Sequence, residues 1–199
     1  MANPAPLNSE GALLRCQDLA LRRGGRLLFD GLNLTVQPGE RVVLTGPNGA
    51  GKSSLLRAIA GLLQPEHGRV DTVQVALADD APALDRERPL LAALDFWVGP
   101  ATEARHRLAA ALTALDLAML VPVPVRLLSA GQLKRATLIR VVASTAPLWL
   151  LDEPTNGLDG QGFDDLFGLI EKHVSQGGAV ISASHISLPG EWRQVELGA

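Results

Sequence analysis

A chain of 199 residues, 47% of them hydrophobic, can bury one sizeable core, so a single domain with a small inserted lobe is the expected organisation. A formal net charge of −3 gives no support to a general nucleic-acid binder, and a lone cysteine, Cys16, excludes an intramolecular disulfide or a cysteine-built metal site. No apolar run is long enough to cross a bilayer. The nearest, Leu108–Val125, is broken by Asp116, Pro122 and Pro124, so a direct membrane span is not expected and any membrane role comes through a partner.

In chain order, residues 1–12 have neither a basic head nor an apolar stretch and read as a flexible tail, not a signal peptide. Leu13–Leu21 and Leu27–Val36 predict two strands around a Gly24-Gly25 turn, followed by a buried strand at Arg41–Thr45. Ser53–Leu63 predicts a helix and Val70–Leu77 another strand. Helical spacing of apolar residues then recurs at Pro89–Trp97, Thr102–Leu120 and Gly131–Ser144. Pro147–Leu151 and Ala179–Ala183 predict buried strands on either side of a Gly162–Ser175 helix, and Trp192–Leu197 a last edge strand. Buried strands alternating with helices indicate an α/β fold with a mainly parallel core sheet. Residues 13–199 form the expected domain, with consecutive helices at about residues 85–145 as an inserted helical lobe.

In such sheets ligands sit beyond the carboxyl ends of the strands. Directly after strand Arg41–Thr45 come Gly46, Pro47, Asn48, Gly49, Ala50, Gly51, Lys52, Ser53 and Ser54, which match a phosphate loop between strand and helix. Its glycines allow backbone N–H groups to face a polyphosphate, Lys52 can reach the β- and γ-phosphates, and the Ser53 hydroxyl suits Mg²⁺. Asp152 and Glu153 end another apolar strand, which places one carboxylate near a metal and the next where it can activate water. In isolation such a pair is often a solvated turn, and only the phosphate loop raises the catalytic reading. His185 follows strand Ala179–Ala183 in the same positional class, whereas His67, His106 and His173 have no such setting and read as surface residues. The segment Leu128–Arg135, LSAGQLKR, has Ser129 as N-cap and the small Ala130 and Gly131 in the first turn, a helix start that attracts anions.

GPNGAGKS, LSAGQ, LDEP, GLD and His185, in this order and with these gaps, resemble the ABC-type ATPases from about Leu13 to Leu197. The resemblance implies a P-loop NTPase cassette with an N-terminal antiparallel β lobe, ATP and Mg²⁺ as cofactors, Lys52, Glu153 and His185 as catalytic residues, and Ser53 and Asp152 at the metal. It implies a homodimer in the active state, formed head to tail, in which Ser129, Gly131 and Gln132 contact the ATP of the opposite subunit and Asp159 couples the two sites. Three departures stand out. Ala130 replaces a glycine, and with no Tyr in the chain either Arg23 substitutes for an adenine-stacking aromatic or the nucleotide site is weaker or less base-selective. The usual glutamine after the next strand is missing: Gln74 is too early, and Asp79, Asp80 or Ala81 fills the region, with Asp80 either a metal-site carboxylate or part of a solvated turn.

PVRLLSAGQ, APLWLLDEP and GGAVI further resemble the ATP-binding subunits of cytochrome c maturation (haem export) complexes. That resemblance implies integral membrane permease partners, a place at the cytoplasmic face of the bacterial inner membrane, and no nucleic acid. No Cys-x-x-Cys-His segment addresses haem directly. The ATPase of another small transporter, or a soluble ABC ATPase, would carry the same catalytic residues.

Overall fold

The computed structural model describes residues 11–79 and 83–198. It separates into two compact units: residues up to Leu77 with Ala146–Glu153 and Lys172 onward, and Ala78–Thr145 with Pro154–Glu171.

The first unit holds two sheets. Strands β1 (Leu14–Arg23), β2 (Arg26–Val36) and β4 (His67–Thr72) form an antiparallel sheet in the order β2-β1-β4. Gly24 and Gly25, at φ 55° and 79°, turn β1 into β2 as only a two-residue loop with left-handed positions can. Strands β3 (Arg41–Thr45), β5 (Val75–Ala78), β6 (Leu148–Asp152), β7 (Ala179–Ala183) and β8 (Arg193–Glu196) form the second sheet, ordered β5-β6-β7-β3-β8. The pairs β6–β7, β7–β3 and β3–β8 are parallel. Every residue of β6 and β7 is buried, the pattern of strands covered on both faces. Leu44, Leu55, Leu56, Leu150 and Ile181, all fully buried, sit in one core cluster. Each contributes roughly 1.5–3 kcal/mol of burial.

The predicted strand Val70–Leu77 is in fact two. β4 pairs with β1 as far as Thr72, where Thr72 Oγ1 and Val73 N both donate to Leu13 O, and β5 then joins the other sheet. One segment serves both sheets, and neither Gly nor Pro marks the switch. Helix α1 (Lys52–Ile59) is also shorter than predicted: Gly61 takes φ 72° and Leu62 N donates back to Arg57 O, which ends the helix before Leu63.

The second unit contains α2 (Leu90–Val98), α3 (Thr102–Ala114), α4 (Ala130–Val142) and most of α5 (Gly160–Ser175). The predicted helix Thr102–Leu120 breaks because Asp116 adopts a left-handed φ of 51° and Leu117 N donates to Leu112 O; a separate 3-10 turn, Ala118–Leu120, follows. Leu90 N and Leu91 N donate to Val123 O and Val121 O, tying the start of α2 to the segment before α4. Trp97 lies under the Arg140 guanidinium, 3.7 Å from ring centroid to Cζ, and its Nε1 donates to Ala83 O.

Candidate functional site

The phosphate-loop segment leaves β3 at Thr45 and enters α1 at Lys52. Backbone shape there depends on glycine. A side chain at Gly46, φ 126°, would collide with Leu197 O, and one at Gly51, φ 106°, would press on Leu28 and the Phe29 ring at 3.2 Å. Ala50 N donates to Pro47 O, closing the loop. Lys52 is buried and its Nζ donates to Gly46 O at 2.7 Å and Pro47 O at 3.2 Å, so the ammonium sits inside the arc of the loop. Pro47, Asn48 and Gly49 are exposed along that arc, and Ser54 is buried behind it.

Parallel pairing of β3 with β7, and of β7 with β6, brings the carboxyl ends of these strands together. Asp152, the last residue of β6, is 4% exposed, and its Oδ1 accepts a 3.0 Å hydrogen bond from Ser53 Oγ. A hydroxyl and a carboxylate oxygen at this separation are hard donors suited to Mg²⁺. Among the described residues no group of three or more His, Cys, Asp or Glu can hold a metal.

Glu153 is the next residue and has φ 43°, a left-handed backbone that costs a non-glycine residue about 1–3 kcal/mol. Its N–H donates to Ala183 O at 2.9 Å, which holds the strained conformation in place. The carboxylate is turned toward His185, with Oε1 3.1 Å from Nε2. His185 is itself fixed by a tight turn in which Ile186 N donates to Ser184 Oγ and Ser184 Oγ donates to Ile186 O. Lys52, Ser53, Glu153 and His185 line one cavity of about 280 Å³ with Asn48, Gly49, Gly51 and Ser54. Arg23 and Leu28, from the β1–β2 hairpin, complete its wall. Arg23 thus shares the cavity with the phosphate loop, whereas its neighbour Arg22 is engaged with Glu66 and Gly25 O.

In the second unit, Ser129 is the N-cap of α4. Gln132 N donates to Ser129 Oγ at 3.2 Å and Ser129 N to Gln132 Oε1 at 2.9 Å, a reciprocal capping box. Both motif side chains are thus used within their own helix. A side chain at Gly131 would stand 2.8 Å from Gly157 O, so glycine there is demanded by a close approach of two backbones. Asp159 caps α5 by accepting from Gly162 N at 2.9 Å, and also binds Arg135. Sequence reasoning missed Arg135 and Gly157; the charged residue following the motif was the available signal.

Asp79, half-buried, raises the pKa of Arg140 electrostatically against the larger lowering by desolvation. Asp80 and Ala81 lie outside the described residues, as does the tail up to residue 10. His67 and His106 are exposed, as expected. His173 is not a surface residue: it is half-buried, stacks on Trp149 at 3.9 Å and 10°, and places Nε2 3.1 Å from Pro147 O. Burial depresses its pKa below 6.5, partly opposed by the backbone groups of Pro147 and Ala179.

Residues 29–156 match the ABC transporter family model. The cytochrome c biogenesis ATP-binding export protein CcmA of Sphingopyxis alaskensis is 48% identical over 177 residues, covering 88% of this chain and 91% of that protein. The protein of the same name from Novosphingobium aromaticivorans is 50% identical over 169 residues, covering 84% and 86%. Among solved structures, an ATP-binding subunit of an ABC transporter superposes with a TM-score of 0.82 at 25% identity, covering 87% of this chain and 80% of that one. A dimeric ATP-binding cassette in a post-hydrolysis state with ADP and Pi shares the fold, with a TM-score of 0.78 at 22% identity and coverage of 87% and 88%. The chain belongs to the ABC transporter ATP-binding family, as a CcmA-type cytochrome c biogenesis ATP-binding protein.

Proposed function

We propose that the chain is the ATP-hydrolysing subunit of the membrane-bound cytochrome c maturation (haem export) ABC complex, working through ATP-dependent head-to-tail pairing of two copies. The observation that carries the chemistry is the single cavity lined by Lys52, Ser53, Glu153 and His185, found in a chain about half identical to named export proteins.

The loop N–H groups and Lys52 bind the phosphates. Lys52 exchanges its bonds to Gly46 O and Pro47 O for phosphate oxygens, a substitution of one set of acceptors for another. Ser53 and Asp152 would hold Mg²⁺, which when bound neutralises charge on the phosphates. Glu153 accepts a hydrogen bond from the attacking water and draws off its proton as the water oxygen approaches the γ-phosphorus in line; the bond to the β-phosphate oxygen breaks and its electron pair leaves with ADP. His185, beside Glu153, orients that water and the γ-phosphate. Arg23 stacks on the base. The first turn of α4, exposed at Ser129 and Ala130 and half-buried at Gly131 and Gln132, meets the γ-phosphate held by the other copy, and Asp159 joins the two sites. Hydrolysis removes the shared anion, the pair opens, and the motion passes to integral membrane permease subunits at the cytoplasmic face of the inner membrane. Among the described residues no helix is long and apolar enough to cross a membrane.

The test uses tagged Glu153→Gln protein expressed in the native host with MgATP, gentle solubilisation, and mass spectrometry of what co-purifies. Recovery of the small cytochrome c maturation membrane proteins supports the assignment. Recovery of an unrelated permease overturns the assignment and leaves the catalytic roles standing.

A further inference from the structure

Arg135, the last residue of the Leu128–Arg135 segment, was given no role by the sequence, yet it joins three elements of the second unit. Its side chain is 12% exposed. Nη2 donates to both carboxylate oxygens of Asp159, at 2.9 and 2.8 Å, and Nη1 is 3.7 Å from Asp116 Oδ2. Asp159 is the cap of α5, and Asp116 is the left-handed residue just beyond the end of α3, so one cation on α4 links the ends of both neighbouring helices.

Two glycines are shaped around the same junction. A side chain at Gly131 would meet Gly157 O at 2.8 Å, and one at Gly162 would meet Asp159 Oδ1 at 3.0 Å and Arg135 Nε at 3.2 Å. The first turn of α4 is therefore packed backbone to backbone on the segment that ends at Asp159, and the guanidinium fills the space that Gly162 leaves open. An exposed carboxylate on a loop would adopt many orientations. This one is held by a nearly buried cation and by a helix N–H.

We propose that Arg135 is a positioning residue for ATP hydrolysis: it holds Asp159 and the Ser129–Gln132 helix start at a fixed spacing, so that the two meet a second copy of the chain as one preformed surface. The inference rests on the head-to-tail reading above. Arg135 touches no substrate. Its effect is confined to closure, because it lies in the unit that lacks the phosphate loop.

The experiment compares Arg135→Lys, Asp159→Asn and the double variant in the Glu153→Gln background. Lysine keeps the charge but offers one ammonium, unable to serve Asp159 and Asp116 together. Asparagine keeps an oxygen for Gly162 N and removes the ion pair. ATP-dependent dimerisation is followed by analytical ultracentrifugation against protein concentration, binding of a fluorescent ATP analogue is measured on the monomer, and thermal unfolding is recorded. Each single variant is expected to raise the concentration for half-dimerisation about tenfold, with the double variant no worse than the worse single. Monomer nucleotide affinity stays within about twofold, because the two sites share no partner. Dimerisation at the parent's concentration, even with a lowered melting temperature, overturns the proposal, as does full additivity in the double variant. Should Arg135→Lys fail to fold, Arg135→Gln, which also loses the ion pair with Asp159, gives the same readout. If the Glu153→Gln parent does not dimerise with ATP, the closure reading falls and this proposal with it, an outcome separate from a parent that dimerises and variants that follow it.

Discussion

The two regions proposed to meet phosphate are built on opposite plans. Around the phosphate loop, polar side chains point into a cavity and pair with one another: Lys52 with loop carbonyls, Ser53 with Asp152, His185 with Glu153. At the start of α4 the side chains turn inward to their own helix or its neighbour, Ser129 and Gln132 in a capping box, Asp159 with Arg135 and the start of α5. In the proposed function the first region carries chemistry on side chains at a sheet edge. The second would offer its backbone, with its side chains holding that backbone in shape. A motif residue can therefore be required for function in either way, and one letter does not tell which.

The contrast predicts different kinds of damage. The largest effect belongs to the first region: Glu153→Gln should lower the turnover rate about a hundredfold or more while nucleotide affinity is retained, read by phosphate release and by fluorescent nucleotide binding. Retained turnover would remove Glu153 from its role and blunt the contrast at its strongest point. In the second region the first readout to move should be stability. Gly131→Ala drives a methyl into Gly157 O and should destabilise by about 1–3 kcal/mol even after the gain in helix propensity, measured by denaturant unfolding. An unchanged stability with lost ATPase activity would mean that Gly131 is a contact after all. Ser129→Ala removes one half of the capping box and should cost about 1 kcal/mol in the same assay.

The smallest effect is in pH. Because His173 has a folded-state pKa below the ordinary 6.5, the unfolded chain binds its proton first as the pH falls. The stability it contributes is full above about pH 6.5 and declines as pH drops toward and through the folded value. His173→Phe should keep the ring stack on Trp149 and remove that component of the slope, measured as melting temperature between neutral and mildly acidic pH.

Much of this was legible beforehand because the fold uses strong local signals. Strands Arg41–Thr45 and Ala179–Ala183 are found at the predicted bounds, since each has an apolar centre and is followed by glycine or a polar residue. The phosphate loop, Asp152 and Glu153 could be placed because their position at a strand's carboxyl end follows from those runs. What could not be read depends on contacts distant in sequence. The passage from β4 to β5 is decided by Thr72 and Val73 bonding to Leu13, far back in the chain. The left-handed backbone of Asp116 and Glu153 leaves no compositional mark, because both are ordinary acidic residues. His173 looked like a surface histidine until the ring of Trp149 was found against it.

The placing of the aromatic rings has a practical consequence. The chain has three tryptophans and no tyrosine, so its ultraviolet emission comes from indole alone. Trp97, against Arg140, belongs to the second unit, while Trp149, against His173, and Trp192, bonded to Pro189 O, belong to the first. Trp192→Phe would leave one indole in each unit, each beside a different quenching or polarising neighbour. The protein then carries its own pair of optical labels, and stopped-flow fluorescence can time the response of each unit to ATP without any attached dye.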